Sequence, residues 1–433
     1  MSDFYSMLVA TEKRPHADRE RVQLQALPAQ IKHAQQKSTA YAEILSGVDA
    51  VTVTSRKALA ALPVTRKTEL LDRQKAARES ASHVNSLIGG SGTAVFGGFS
   101  SIGFGAHMLR VFASPGTIYE PEGRQLDYWR SARALAAAGF KAGDLIHNCF
   151  SYHFTPAGAM MESGAHAMGC TVFPAGTGQT EQQVQAMAEL KPAGYVGTPS
   201  FLKIILEKAA EMGVALPSVT KALVSGEACP PSLRDWFAER GVNAYQCYAT
   251  ADLGLIAYET SAREGLVIDE GVIVEIVTPG TGDPVAEGEV GELVVTSFNT
   301  DYPLIRFGTG DLSAVLPGSC PTGRTNTRIK GWMGRADQTT KIRGMFVHPS
   351  QVATIAKRFP EVVKARLVVS GEMADDRMTL QVEAAQHVET QELLEQIKDA
   401  IRDVTKLRGN VSFFVPGSLP NDGRVIEDAR TYK

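Results

Sequence analysis

The sequence predicts an α/β protein: a large N-terminal domain with α/β layers and a mixed β region, followed by a small α+β C-terminal domain. Three observations support this prediction. Strand-like and helix-like runs alternate between residues 105 and 199, β-rich runs separated by glycine and proline turns begin near residue 265, and the pattern changes again after Gly334. A chain of 433 residues can form two or three domains. We expect residues 1–335 to form the large domain and residues 336–433 the small one.

The first predicted element is a helical leader. From about Ala17 to Leu45, apolar residues recur among polar ones at helical spacing, and Pro28 is expected to interrupt the helix. A glycine-rich stretch from Gly89 to Gly105 is expected to form loops around short buried strands.

The alternating region predicts a largely parallel sheet, and the later regions predict further strands. The expected strands are 144–147, 170–173, 194–197, 267–268, 272–277, 292–295, 365–369, 378–382 and 411–415. Helices are expected near 160–168 and 181–190, and an apolar stripe predicts an amphipathic helix over 393–407.

Composition excludes several classes of protein. The net charge is −3, with 44 basic and 47 acidic residues and no basic block, so no nucleic-acid partner is expected. The five cysteines are scattered and indicate neither a disulfide framework nor a zinc site. No apolar run reaches about 18 residues, and the first residues do not resemble a signal peptide, so no membrane partner and a cytoplasmic location are expected.

The first candidate site segment is a turn that follows the apolar run 109–112 and contains Ser114, Gly116 and Thr117. Backbone N–H groups and hydroxyls in such a turn can bind phosphate oxygens. The alternative is an ordinary surface turn.

The second candidate segment, residues 245–254, contains an aromatic ring, a hydroxyl and a carboxylate in close succession. The ring of Tyr248 can stack on a purine, Thr250 can bind a phosphate or a substrate carboxylate, and Asp252 can bind Mg²⁺. Alternatively, a strand ends here and Asp252 caps a following helix.

Two later segments complete the set. In residues 303–312 the glycines are expected to form a tight turn that leaves Asp311 at its end, where a carboxylate can bind a ribose diol. A hairpin turn with a solvated Asp311 is the alternative. Residues 334–344 form a polar run at the predicted domain junction, in which Arg335 can reach a phosphate or a ribose; this run can also be read as a charged linker.

Taken in order, these four segments resemble the phenylacetate-CoA ligase-like branch of the adenylate-forming acyl-CoA synthetase superfamily. The resemblance extends over nearly the whole chain. Further segments similar to that branch are Leu62-Pro63-Val64-Thr65-Arg66-Lys67, residues 176–183, 191–192 and 197–200, the loop Ser225-Gly226-Glu227, and residues 283–294.

The resemblance implies an AMP-forming acid–thiol ligase that uses ATP, Mg²⁺ and coenzyme A and activates a small carboxylic acid as an acyl-adenylate. The small domain would rotate between the two steps about a hinge at Asp337. The residues implied to contact the nucleotide are Ser114, Gly116, Thr117, Ser225, Gly226, Glu227, Tyr248, Ala249, Thr250, Asp311 and Arg335. Thr250 and Arg335 would also be catalytic, and Asp252 would bind the metal. A homodimer is common in the family.

The sequence departs from the family pattern in three places. Pro115, Tyr119 and Glu120 stand in a phosphate loop that is usually rich in Ser, Thr and Gly and often carries a Lys. The metal ligand is usually Glu and is here Asp252. The adenylation lysine near the C-terminus is replaced by either Arg424 or Lys433, and both alternatives remain open.

The run 150–158 is the candidate acyl pocket and includes Gly158. Tyr152 and Phe154 can wall an apolar acyl group, and His153 can donate a hydrogen bond to a substrate or can be structural. We expect an aryl-acetate-like acid or a short branched hydroxy acid. Two other functions stay open: an adenylating enzyme that uses an acceptor other than CoA, and a nucleotide-binding protein that has lost catalysis.

Overall fold

The structure, a computed structural model, describes residues 2–430 except 82–93, 334, 337–339, 344, 348, 373–374, 385–390 and 421–423. The chain divides into two compact units, Met1–Gly334 and Arg335–Lys433. The boundary expected from the sequence lies one residue further along the chain.

The helices are α1 (Ser2–Glu12), α2 (His16–Lys37), α3 (Thr39–Ile44), α4 (Arg56–Ala60), α5 (Lys67–Ala81), α6 (Ala132–Ala137), α7 (Ala157–Ala167), α8 (Thr180–Leu190), α9 (Pro199–Glu211), α10 (Pro231–Ala238), α11 (Pro349–Ala356) and α12 (Gln391–Thr405), with 3-10 turns at Ala50–Thr52 and Ala94–Phe96.

The strands are β1 (Thr65–Arg66), β2 (Met108–Ser114), β3 (Ile118–Gly123), β4 (Leu145–Asn148), β5 (Thr171–Phe173), β6 (Gly194–Gly197), β7 (Lys221–Val224), β8 (Asn243–Thr250), β9 (Gly254–Glu259), β10 (Leu266–Ile268), β11 (Val272–Val277), β12 (Gly291–Ser297), β13 (Phe307–Ser313), β14 (Val315–Leu316), β15 (Arg328–Ile329), β16 (Thr340–Ile342), β17 (Met345–Val347), β18 (Lys364–Ser370), β19 (Arg377–Glu383), β20 (Asn410–Phe414) and β21 (Ile426–Asp428).

The leader helix α2 passes through Pro28 without a break, so the expected interruption there is wrong. Proline removes one helical hydrogen bond, and tertiary contacts on both sides offset that loss. Before it, the amide of Gln23 donates to the carbonyls of Glu270 and Val272; after it, the amide of Gln30 donates to carbonyls near residue 298. The two halves of the helix are therefore held in line by the paired strands β11 and β12.

A nine-stranded sheet in the order β14-β15-β10-β9-β8-β7-β6-β4-β5 is the centre of the first unit. Strands β5, β4, β6, β7 and β8 are parallel, as expected from the alternating sequence pattern, and the strands from β8 to β14 are antiparallel. The parallel strands all end at one edge, where open α/β sheets bind their ligands. This edge carries the ends of β4, β7 and β8.

A second sheet has the order β1-β13-β12-β11. The tight turn expected before Asp311 is wrong, because Gly308, Gly310 and Asp311 all lie within β13. The glycines instead produce a β-bulge: the register between β12 and β13 shifts at Glu292/Val294, and Gly310 has a φ of 72°. The bulge reorients the strand just before Asp311.

Strands β2 and β3 form a separate antiparallel hairpin joined by Pro115, Gly116 and Thr117. The expectation of short strands in the glycine-rich stretch is wrong for the described residues 94–105, which form a 3-10 turn and loops. The rings of Phe96 and Phe99 are buried and anchor these loops. Residues 89–93 of that stretch lie outside the described part of the chain.

The second unit has its own hydrophobic core under a four-stranded sheet in the order β20-β19-β18-β21. The predicted apolar stripe of α12 is confirmed, because Leu393, Ile397 and Ile401 are buried in that core. Among the described residues, no helix has the combination of length and apolar character needed to cross a membrane.

Candidate active site

Asp311, Tyr248 and Trp332 meet through hydrogen bonds in the first unit. The Tyr248 hydroxyl donates to Asp311 Oδ2 at 2.6 Å, and the Trp332 indole N–H donates to Asp311 Oδ1 at 3.0 Å. Asp311 comes from β13 and Tyr248 from β8, so this contact joins the two sheets. Two donors on opposite oxygens fix the plane of the carboxylate, and both bonds are strengthened by its charge.

Lys67 and Asp252 form an ion pair close to these residues in the fold. Lys67 Nζ lies 3.0 Å from Asp252 Oδ2; the Lys67 side chain is 38% exposed, and that of Asp252 is 2% exposed. Lys67 is the first residue of α5 and directly follows β1, which pairs with Phe307 and Gly308 of β13. The strand that carries Asp311 therefore also positions Lys67.

Asp252 lies in the tight turn between β8 and β9. The turn is closed by a hydrogen bond from the backbone N–H of Leu253 to the hydroxyl of Thr250, at 3.1 Å. Gly254 has a φ of 73°, and a Cβ there would lie 2.8 Å from the carbonyl oxygen of Trp129. A strand follows this turn, so the alternative interpretation of Asp252 as the cap of a helix is wrong.

A second carboxylate, that of Glu120, is fully buried near Asp252. The Ser114 hydroxyl donates to Glu120 Oε1 across the β2–β3 hairpin. Burial and the charge of Asp252 raise the pKa of Glu120 to about 8, against the opposing effects of Lys67 and the hydrogen bonds from Ser114. Glu120 therefore carries a proton at neutral pH, and the cluster of Lys67, Asp252 and Glu120 is then close to electrically neutral.

The same cluster fits a magnesium ion. Asp252 Oδ1 and Glu120 Oε2 are buried and have no hydrogen-bond partner among the described residues. Mg²⁺ binds oxygen ligands and commonly uses one or two protein carboxylates together with substrate phosphates. Within the described residues, no group of three or more His, Cys, Asp or Glu side chains is arranged to hold a metal ion. The residues present therefore suit a cation that also binds to a phosphate-bearing substrate.

The candidate phosphate loop is a short, exposed hairpin turn. Gly116 and Thr117 have φ values of 100° and 61°, and both are exposed. Gln74 anchors the following strand, because its amide donates to the Tyr119 carbonyl at 2.9 Å and accepts from the Tyr119 N–H at 2.8 Å. The backbone of the turn is thus held by two strands and a helix, while the Ser114 hydroxyl is used by Glu120.

The loop after β7 carries Ser225, Gly226 and Glu227. The buried Ser225 hydroxyl donates to the Cys247 carbonyl at 2.7 Å, which ties this loop to the strand that carries Tyr248. Gly226 has a φ of 81°, and Glu227 is exposed. Ala249 follows Tyr248 at an irregular point in the β8–β9 register. These predicted nucleotide residues therefore lie at the same sheet edge.

The acyl-pocket candidates lie after β4. The ring of Tyr152 packs so closely on Gly158 that a Cβ there would lie 2.8 Å from a ring carbon. The Tyr152 hydroxyl accepts from the Asn148 amide and donates to Glu162 Oε2, each at 2.8 Å. His153 and Phe154 are exposed, and their rings contact each other edge to face at 4.5 Å. Among the described residues, the His153 ring has no hydrogen-bond partner, whereas Tyr152 is held by two hydrogen bonds; Tyr152 is therefore the better oriented of these side chains.

The structure adds Lys67, Glu120 and Trp332 to the site. The Lys67 signal was present in the family-like segment Leu62–Lys67, and Glu120 stands out in the sequence as a departure from the family loop. Nothing in the sequence distinguishes Trp332, which lies 21 positions from Asp311. Its role depends on the fold of the intervening strands.

The remaining predicted residues belong to the second unit. Arg335 is its first residue, and Arg424 is exposed near its end. Asp337 and Lys433 lie outside the described residues. The roles proposed for these four residues stay predictions.

The fold and the residues gathered at its sheet edge define the class of AMP-binding, adenylate-forming enzymes. The sequence profile of the AMP-binding enzyme family matches residues 126–300, and that of the AMP-binding enzyme C-terminal domain matches residues 344–428. A crystal structure of 2-hydroxyisobutyryl-CoA ligase with 2-HIB-AMP and CoA has the same fold, with a TM-score of 0.79 and 24% identity over 97% of this chain and 91% of that chain.

Two curated relatives specify the family further. The phenylacetate-coenzyme A ligase of Thermus thermophilus is 31% identical over 355 residues, which is 79% of this chain and 75% of the relative. The Escherichia coli phenylacetate-coenzyme A ligase is 29% identical over 336 residues, 72% of this chain and 76% of the relative. The chain belongs to the phenylacetate-coenzyme A ligase family, and the resemblance described from the sequence is confirmed.

Proposed function

We propose that the protein is an AMP-forming acyl-CoA ligase that activates a small carboxylic acid. In the first step, the acid carboxylate attacks the α-phosphorus of ATP, and acyl-adenylate and pyrophosphate form. In the second step, the thiol of coenzyme A attacks the acyl carbon and AMP leaves. The observation that carries this proposal is the contact of Tyr248 with Asp311 at the sheet edge where the Lys67–Asp252 pair also lies. Membership of the ligase family supports it.

Asp311 is proposed to bind the ribose of ATP. A carboxylate has two acceptor oxygens, which suit the two hydroxyls of a ribose. Tyr248 and Trp332 orient these oxygens before the nucleotide arrives, so less freedom is lost on binding. The aromatic ring of Tyr248 and the loop Ser225–Glu227 are proposed to contact the adenine.

The phosphates pose the main electrostatic problem, because the acid and ATP are both anions. The turn Pro115–Thr117 offers backbone N–H groups, Thr250 offers a hydroxyl, and Lys67 offers an ammonium group that now faces Asp252. Asp252 and Glu120 are proposed to hold Mg²⁺, which when bound neutralises phosphate charge. The protonated state of Glu120 keeps a second negative charge away from the incoming phosphates until the cation binds.

The acid is proposed to be of the aryl-acetate class, which is the substrate class named for the curated relatives. Tyr152 supports this choice, because its ring lies flat against Gly158 and can line an apolar group. Its hydroxyl is already occupied by Asn148 and Glu162, so the ring is the part of this side chain proposed to contact the acyl group. A short branched hydroxy acid is the second candidate, and His153 would then contact the substrate hydroxyl.

Exchange of labelled pyrophosphate into ATP tests the first step, and CoA-dependent release of AMP tests the second. We expect exchange to require an acid such as phenylacetate and to occur without CoA, because adenylation precedes thioesterification. AMP release that is rapid only when CoA is present supports the ligase. Exchange in the absence of CoA-dependent release would favour another acceptor, and no exchange with any aryl-acetate or hydroxy acid would refute the proposed function.

We also propose a homodimer and a cytoplasmic location. The five cysteines are unpaired and buried, which suits a reducing compartment. Sedimentation equilibrium of the full chain tests the oligomeric state.

A further inference from the structure

Three arginines surround a small pocket in the second unit. The pocket has a volume of about 160 Å³ and is lined by Arg343, Arg377, Met378, Arg408, Gly409 and Asn410. All of these residues belong to the compact unit Arg335–Lys433, so the pocket is complete without any group from the first unit.

The sheet of this unit brings two of the arginines together. Strands β19 and β20 are parallel, with Thr379 opposite Asn410, so Arg377 and Arg408, each two residues before these partners, lie at the same end of the sheet. Gly409 allows the close approach, because a Cβ there would lie 2.8 Å from the Met378 methyl carbon. A larger residue at position 409 would therefore push the two strands apart or displace Met378.

The third arginine is supplied by the β16–β17 turn. Arg343 has a φ of 47°, and its backbone N–H donates to Asp376 Oδ2 at 2.9 Å. Its guanidinium donates to the backbone carbonyl of Asp376, at 2.8 Å from Nη2 and 3.2 Å from Nε. The guanidinium is thus oriented by a neutral carbonyl, and its charge is not cancelled by a carboxylate.

The acidic residues beside the pocket leave it positive. The Asp376 carboxylate pairs with Arg430 at 2.9 Å. Asp375 pairs with Arg377, but these side chains are 62% and 68% exposed, and such a surface pair is weak in water. Arg408 is exposed and forms no hydrogen bond or ion pair with the described residues. Among the described residues, three guanidinium groups therefore face one pocket, and the Asp375 carboxylate partly opposes their charge.

We propose that Arg343, Arg377 and Arg408 bind a phosphate monoester, and that this ligand is the 3′-phosphate on the adenosine end of coenzyme A. This assignment rests on the proposed ligase function. A monoester carries a charge of about −1.5 to −2 at neutral pH and three terminal oxygens, which suit several arginine forks converging on a small volume. The internal phosphates of a pyrophosphate link have fewer free oxygens and offer fewer acceptors to three arginines.

Calorimetric titration of the full chain with CoA and with 3′-dephospho-CoA, in saturating AMP, tests the assignment. The wild-type protein is expected to bind CoA about tenfold more tightly, as is typical of one or two hydrogen bonds to a charged group. Arg408→Ala is expected to weaken CoA binding to the level of 3′-dephospho-CoA and to leave the affinity for 3′-dephospho-CoA unchanged. Arg408→Lys should restore part of the preference for CoA over 3′-dephospho-CoA, because lysine keeps the positive charge but lacks the planar, bidentate guanidinium group.

Arg402→Ala is the matched control, since Arg402 lies in the same unit, pairs only with Asp399 among the ion pairs described, and does not line the pocket. It should preserve the preference for CoA. Equal affinity of the wild-type protein for the two thiols, including no detectable binding of either, would overturn the proposal. So would an Arg408→Ala variant that weakens both thiols equally.

Two further measurements distinguish CoA from pyrophosphate as the ligand of the pocket, and a failure of this site from a failure of the proposed ligase function. If Arg408→Ala changes inhibition by added pyrophosphate and not the CoA preference, the pocket binds pyrophosphate and the CoA assignment is wrong. Acid-dependent pyrophosphate exchange does not involve CoA, so it should be the same in wild type and Arg408→Ala. Loss of exchange in the wild-type protein refutes the ligase function itself, whereas intact exchange with no CoA preference refutes only this site.

Discussion

Replacement of Lys67 by methionine should destabilise the first unit more than replacement of Lys67 and Asp252 together. The Asp252 side chain is 2% exposed, and Lys67 Nζ is the cation 3.0 Å from it. The Lys67→Met variant leaves a buried carboxylate without this cation and beside a second buried acid, Glu120. The double variant with Asp252→Asn removes the buried charge as well.

The expected magnitude follows from the burial of the two partners. Removal of one partner from a fully buried pair costs about 3–5 kcal/mol, whereas exposed pairs contribute about 0–1 kcal/mol. Lys67 is 38% exposed, so water screens part of its charge. We therefore expect Lys67→Met to lower the free energy of unfolding by about 2 kcal/mol. The Lys67→Met/Asp252→Asn variant should recover at least half of that loss.

Urea unfolding followed by tryptophan fluorescence measures this difference. The three tryptophans, Trp129, Trp236 and Trp332, all lie in the first unit, so their emission reports on that unit alone. Arg21→Met is the control, because Arg21 forms an exposed ion pair with Asp18 and its loss should leave the unfolding midpoint unchanged. Equal or additive losses in the single and double variants would refute the reasoning, since they would mean that the buried charge of Asp252 is not compensated by Lys67.

Three further predictions concern neighbouring residues. The pKa of Glu120 is raised to about 8 in the folded protein, whereas the unfolded chain has the ordinary value of 4.5, so between these values only the folded protein keeps the proton. The free energy of unfolding should therefore fall by roughly 1.4 kcal/mol per pH unit from about pH 5 to pH 8. Glu120→Gln should remove that slope in thermal unfolding of the metal-free protein. An unchanged slope in the variant would contradict this origin. Asp311→Asn should raise the KM for ATP about tenfold to a hundredfold through weakened charged hydrogen bonds, while a normal KM would remove Asp311 from the nucleotide site. Gly158→Ala should displace the ring of Tyr152 and raise the KM for the acid with little change in that for ATP; an equal effect on both would indicate general disruption.

Several elements were predictable from the sequence because their signals are local. In the strand Val272–Val277 every residue except Glu275 is β-branched, turn residues follow it, and the stripe of α12 has a clear helical period. The helix through Pro28 was mispredicted because its continuity depends on hydrogen bonds from Gln23 and Gln30 to strands about 250 positions away. No local pattern contains that information.

In the candidate active site too, individual residues could be predicted from local sequence, whereas their contacts depend on distant parts of the chain. Tyr248 and Asp311 could be proposed from their motifs, but their hydrogen bond depends on the meeting of two sheets. The bulge before Asp311 looked like a turn, because glycines at 308 and 310 suit either structure. Glu120 could be seen to depart from the family pattern, whereas its proximity to Asp252 could not, since 132 residues separate them and the link is the packing of a hairpin against a turn.

Under the proposed function, the charges of this site explain how an acidic residue can lie beside a turn that is proposed to bind phosphate. An ionised Glu120 would repel ATP, and together with Asp252 it would outweigh the single ammonium group of Lys67. Burial raises the pKa of Glu120 to about 8, so at neutral pH the carboxyl is neutral and accepts the hydrogen bond from Ser114 without adding charge. If Asp252 and Glu120 hold a cation as proposed, its charge would favour the ionised form of Glu120 and would help to balance phosphate charge. The same side chain can therefore be neutral in the empty site and anionic in the occupied one.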